Sequence, residues 1–176
     1  MPVAVTAADE VPRVRVLNAE WRALIDSGSL GSATLRDLLA ELEGSDTIVH
    51  IVKSMPDGRK SAAALQFIVA SGGVRFLRIR IAAGLPDRVT LSLIGHELQH
   101  ALEVAREPAV VDQESFVQFY RRVGLTIADR QAPPSYDTAA AREVQRRVFD
   151  ELEEGERTRA TSGRRPAAPT RRAGDR

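Results

Sequence analysis

Apolar positions along the chain fall into two regimes. From Asn18 to Gly44 they recur at helical spacing: Trp21, Leu24 and Ile25 form one stripe in "AEWRALIDSG", and Leu35, Leu38, Leu39 and Leu42 form another. Asn18 is placed to cap the first helix and Gly28 to stop it. Thr34 with Asp37 resembles a capping box for the second helix, which Gly44 ends. Between Thr47 and Ala82 the pattern changes to short β-branched or alternating runs, "TIVHIVKS", "AAALQFIVAS" and "VRFLRIRIA", separated by "PDG" and "SGG". Those separators favour tight reversals, so the segment predicts a three-stranded antiparallel meander. In its third strand Leu77, Ile79 and Ile81 face one side and Arg78 and Arg80 the other, as in a strand with one wet face. His50 lies inside the first strand, where a partly buried, hydrogen-bonded role is expected rather than a ligand role.

Helical spacing resumes at Pro86 and Asp87 and holds to about Glu107, where Pro108 forbids continuation. Asp112 can cap another helix through "QESFVQFYRRVG", closed by Gly124. A loop with Pro133 and Pro134 then precedes a last helix from about Asp137 to Glu154. The expected fold class is α+β: N-terminal helices, a three-stranded antiparallel sheet, a long helix packed on it and two further C-terminal helices.

Length and composition change this picture only at its ends. The chain has 176 residues, 43% of them hydrophobic, enough for one domain with a core, expected over residues 1–154. Residues 155–176 carry seven arginines against Glu156 and Asp175, with no apolar periodicity, and are expected to be a disordered Arg/Pro-rich tail. Overall charge is +1, so no global field marks the chain as a nucleic-acid or membrane binder. Without cysteine, neither a disulfide framework nor a thiolate metal site is available. The first residues lack the basic start and apolar run of a secretory signal, and no stretch is long and apolar enough to span a bilayer; a cytoplasmic protein is expected.

The candidate chemistry lies on the helix after the strands, in "LIGHELQHALE", which holds two of the three histidines. At about 100° per residue, His96, His100 and Glu103 fall within a sector of roughly 60°, opposite Leu91, Ile94, Leu98, Ala101, Leu102 and Ala105. The apolar face can lie on the sheet while both imidazoles converge on a point outside it. Histidines four apart on a helix can bind one zinc ion at about 2.0–2.1 Å. Glu97, about 100° round from His96, is better placed to take a proton from a water on that ion than to ligate it.

At His96-Glu97-Leu98-Gln99-His100 the chain resembles the zincin metallopeptidases, and its expected order of elements is similar to that of the minimal gluzincins, the minigluzincins. The motif match covers about ten residues. The resemblance implies that His96 and His100 bind Zn2+ and that Glu97 is the general base. It also implies a peptide or protein substrate, added as a strand along the sheet edge above the metal. A metzincin pattern does not fit, because Glu103 and Arg106 stand where glycine and histidine would be needed.

A carboxylate is then expected as third ligand, and three candidates compete. Glu103 lies on the histidine face one turn on; Glu114 lies on the following helix, in its first turn; Asp137 begins the last helix after a chain reversal, where it could equally be a plain N-cap. Asp137 is preferred, with Glu103 next. The "VRFLRIRI" strand is expected to be the substrate-binding edge, with Arg75, Arg78 or Arg80 favouring acidic peptides, and Tyr136 is a candidate for oxyanion stabilisation. The alternative is a non-catalytic domain that keeps the fold and binds protein or nucleic acid through its sheet edge or basic tail.

Overall fold

The computed structural model describes residues 11–55, 61–127 and 135–162. Strand β1 (Val14–Val16) leads into helices α1 (Ala19–Gly31) and α2 (Ala33–Glu43), then β2 (Thr47–Ser54), β3 (Ala63–Ser71) and β4 (Val74–Ala82). The long helix α3 (Asp87–Ala105), α4 (Gln113–Val123), the short strands β5 (Leu125–Ile127) and β6 (Ser135–Asp137), and α5 (Ala139–Ser162) complete the order. The α+β class stands, but the sheet differs from the expected meander. It has four strands in the order β1-β2-β4-β3, with β1, β2 and β4 mutually parallel and only β3 antiparallel to β4.

The difference has a physical basis. The "SGG" reversal does form a hairpin, with Ser71 opposite Val74 and Gly72 and Gly73 at φ 59° and 76°, a backbone region that favours glycine. No hydrogen-bonded pairing joins β2 to β3; the chain passes over to the far edge, and β4 returns between them. Burial explains the order. Leu77, Ile79 and Ile81 of β4 are wholly inaccessible, as befits an inner strand, whereas Ile68 and Val69, at a bulge in β3, are nearly half exposed. The "PDG" stretch lies outside the described residues.

Helices pack on the face presented by Val49, Ile51, Leu77, Ile79 and Ile81, forming one core with Leu35, Leu42, Ile94, Leu98 and Leu102. Gly28 does not stop α1, which continues to Gly31. It lies where α1 meets α3, and a Cβ there would come within 2.8 Å of both terminal carbons of Leu91. The capping box expected at Thr34 and Asp37 is not how α2 begins. Ser32 is the N-cap, and Glu151 of α5 accepts hydrogen bonds from the Ser32 hydroxyl (2.6 Å), the Thr34 hydroxyl (2.7 Å) and the Thr34 amide (3.1 Å). Asp112 does cap α4, in a reciprocal pair with Ser115. Helix α5 continues to Ser162, past the expected end near Glu154, so the first residues of the expected tail are helical; residues 163–176 lie outside those described. Among the described residues no helix is long and apolar enough to cross a membrane.

Arg75 corrects another expectation. It points into the core side of β4, only 5% exposed, and cannot greet a substrate. Its guanidinium donates to the carbonyls of Val104 (2.6 Å), Ala105 (2.8 Å) and Glu107 (2.8 Å), and pairs with Asp46 (2.6 Å). Val104 and Ala105 close α3 and Glu107 follows it, so a strand residue reinforces the carbonyls at the helix's C-terminal end and ties that end to the sheet. Arg78 and Arg80 lie on the opposite face of β4, away from the helices, as the alternation requires. We expect Arg75→Met to lower stability by about 3 kcal/mol, since several charge-assisted hydrogen bonds are lost together. Urea denaturation checks this; an unchanged midpoint would show that the clamp carries no weight.

Candidate metal centre

Helix α3 is held on three sides: the sheet under Leu98 and Leu102, Arg75 at its C-terminal end, and α5 across Gly95. Gly95 matters because a Cβ there would stand 3.0 Å from Val148 Cγ2; its absence lets α5 lie close beside His96. With α3 so placed, the imidazoles of His96 and His100 meet edge to face, ring centroids 4.8 Å apart. Asp137 comes in from the end of β6. Its Oδ1 lies 3.4 Å from His96 Nε2 and 3.9 Å from His100 Nε2.

The structure therefore brings together His96, His100 and Asp137, whose ligand atoms all lie within 4.8 Å of one another. Two ligand atoms bound at about 2.0–2.1 Å to one tetrahedral ion stand about 3.3–3.4 Å apart, so the spacing fits a metal with modest adjustment. The donor set fits as well: two imidazoles and one carboxylate leave a fourth position open. A further sign is polar. Asp137 Oδ1 is buried and makes no hydrogen bond, its approach to His96 notwithstanding, and His96 Nδ1 is likewise buried without one although the Gln145 side chain stands close by. Burial, then the neighbouring His100, hold the His96 imidazole below its usual pKa, which favours the neutral form that ligates metals.

The competing carboxylates separate cleanly. Glu103 is not aimed at the cluster. Its Oε2 takes the hydrogen bond of His100 Nδ1 (2.9 Å) and its Oε1 that of the Thr138 hydroxyl (2.7 Å). Burial opposes its ionisation, yet these hydrogen bonds hold its carboxyl below the ordinary glutamate value. An ionised Glu103 accepts the Nδ1 proton, which leaves the His100 Nε2 lone pair facing Asp137. Glu114 is exposed on α4 and bonded to Gln118 (3.0 Å), outside the cluster. Asp137 is not the N-cap of α5; Thr138 is, its hydroxyl accepting from the Ala141 amide (3.1 Å). Asp137 is thereby freed for the imidazoles on one oxygen, while Arg142 Nε holds the other at 2.5 Å.

Glu97 is buried, 5% exposed, between this cluster and β3. Its removal from water, opposed in part by His100, pushes its carboxyl up to about 7, while the backbone of Leu65, close by on β3, pulls the other way. Because Leu65 belongs to the edge strand β3, the edge beside the cluster is β3 and not the expected β4. Tyr120 packs its ring against His100 (centroids 5.2 Å) and donates its hydroxyl to the His100 carbonyl (2.9 Å). Burial, with Glu103 and Glu97 nearby, raises its pKa, so it stays a donor. His50, half-buried on the outer side of β2, takes no part; burial and the flanking Arg15 and Arg78 lower its pKa. The Tyr136 side chain lies outside the described residues. An open cleft of 460 Å³ between α3, α4 and the start of α5 reaches the cluster only through Glu103 and Thr138.

Thr138, Arg142, Tyr120 and Arg75 were not singled out in these roles by the sequence. A threonine just before a helical stripe is a cap signal and could have moved the start of α5 past Asp137; the others act through long-range contacts that no local pattern encodes. Comparison with protein-family models, with curated proteins and with solved structures returns no match.

The geometry separates the candidate ligand Asp137 from the supporting Glu103. Asp137→Ala should abolish tight binding of a divalent cation, whereas Glu103→Ala should weaken it about 10–100-fold, as for loss of an orienting carboxylate. Titration calorimetry with zinc distinguishes them, and a ranking in the reverse order would make Glu103 the ligand.

Proposed function

We propose that the protein is a small zinc-dependent hydrolase, and a metallopeptidase in the manner of the zincins, with His96, His100 and Asp137 holding the ion and Glu97 acting as general base. One observation carries the reading: a buried carboxylate oxygen without a hydrogen bond, placed against the two Nε2 atoms of an HExxH helix. The Zn2+ ion, when bound, supplies the Lewis acidity that brings a water within reach of deprotonation near neutral pH.

The rest falls to the chain's own groups. Glu97, one residue along from His96 and on a different azimuth, takes the proton of the attacking water and passes it to the leaving amine. Glu103 keeps the Nδ1 proton of His100 in place, so that Nε2 remains a ligand. Tyr120 and the core beneath α3 fix the imidazole planes. A peptide would add to the edge of β3, whose Leu65 already meets Glu97, so that its scissile carbonyl passes over the cluster. The acidic preference expected from Arg75, Arg78 and Arg80 does not carry over: the first is buried, and the other two face away from the helices.

The purified protein should hold one zinc per chain, removable by chelation. Glu97→Gln should retain the ion and lose about 10²–10⁴-fold in hydrolysis of a mixed peptide library. Absence of bound metal would sink the proposal, as would full activity in the Gln variant; a domain that only binds a partner would keep its function through that change.

A further inference from the structure

Asp137 offers its two carboxylate oxygens to different partners, and the division is imposed by a residue of the next helix. Oδ1 faces His96 Nε2 at 3.4 Å and His100 Nε2 at 3.9 Å, buried and without a hydrogen bond. Oδ2 receives the Nε of Arg142 at 2.5 Å. Arg142 is in the first turn of α5, and its amide bonds to the Thr138 carbonyl at 3.1 Å, so the guanidinium starts from a backbone already locked beside the aspartate. Its side chain is 51% exposed, whereas that of Asp137 is only 13% exposed: the arginine reaches in from solvent and closes the outer side of the carboxylate.

Resting on the metal reading above, we infer that Arg142 is a positioning residue that restricts Asp137 to one coordinating oxygen and so holds the ion at four ligands, two imidazoles, one carboxylate oxygen and a water, where a second carboxylate oxygen would make five. A bidentate aspartate would need both oxygens within ligand distance of the ion, which turns Oδ2 away from Nε and breaks the charge-assisted hydrogen bond. Neither carboxylate oxygen is then idle: one is for the ion, the other for the guanidinium. Lysine can hold the same oxygen with one N–H, but methionine, with a stem of similar length, cannot hold it at all.

The test uses the full chain with Co2+ in place of Zn2+, because the intensity of the visible cobalt bands falls as coordination number rises above four. R142M should show weaker bands than the native protein and bind zinc about 10–100-fold less tightly. R142K should recover the native band intensity. Circular dichroism and the urea midpoint of each variant keep a folding defect distinct from a change at the site, and R142K supplies the comparison if R142M is unstable. Unchanged bands in R142M overturn the inference whether or not affinity falls, since a loss of affinity alone is what any supporting contact would give. If the native chain binds neither zinc nor cobalt, the metal reading itself fails and this inference with it. Native binding that is lost in Asp137→Ala but identical in R142M leaves the metal reading standing and removes only the role of Arg142.

Discussion

A carboxylate oxygen facing two imidazole nitrogens, all turned toward one point and none satisfying another, is the constraint on which the rest of the structure depends. A neutral His100 that donates from Nδ1 to an ionised Glu103 presents an Nε2 lone pair to the lone pairs of Asp137 Oδ1. Left as it stands, the buried oxygen forfeits about 1–3 kcal/mol of hydrogen bonding. A proton is a poor remedy, because burial and His100 both disfavour charging His96. On the proposed reading a divalent cation would remove the conflict at once, since groups that repel one another as acceptors cooperate as ligands.

Holding such groups together requires a frame that resists their mutual repulsion, and much of the fold serves that end. The sheet supports the apolar face of α3 through Leu77, Ile79 and Ile81. Arg75 secures the C-terminal end of the helix, and Gly95 lets α5 close against its flank. Helix α5 is itself tied to the start of α2 by Glu151, which accepts from Ser32 and Thr34. The third candidate ligand therefore approaches on a strand whose following helix is anchored at both the motif helix and the N-terminal helices. Rearrangement of any of these contacts would reach the site, because close-packed protein interiors transmit displacement and do not absorb it.

What could be read from the sequence followed the range of the interactions. The helical stripes, the Asn18 and Asp112 caps and the HExxH face depend on residues within a few positions of one another, and local periodicity recorded them. The Gly72-Gly73 reversal was legible for the same reason. Strand order was not: "SGG" specifies a hairpin, but whether β4 pairs on its other side with β2 depends on burial summed over the whole sheet. Gly28 and Arg75 were misread because each has a local meaning, a helix stop and a surface cation, that a long-range packing partner overrode. At the site, helical geometry sufficed to align His96 and His100, whereas Asp137 could be preferred only because a chain reversal precedes it.

The junction between β6 and α5 shows how so short a chain can present a third donor without a dedicated helix. Side chains alternate along a strand and turn by about 100° per residue along a helix, so consecutive residues at the boundary point in different directions from nearly one place. Asp137, the last strand residue, turns to the imidazoles. Thr138, the next, accepts the Ala141 amide to begin the helix and donates to Glu103, which in turn orients His100. One dipeptide thus delivers a donor to the cluster and braces a second donor already there. Displacing the junction by one residue would exchange the two tasks, giving the imidazoles a hydroxyl and leaving Glu103 opposite a carboxylate, a like-charge contact in a buried setting. The order Asp-Thr at this boundary is accordingly as strict a requirement of the arrangement as the spacing of the two histidines.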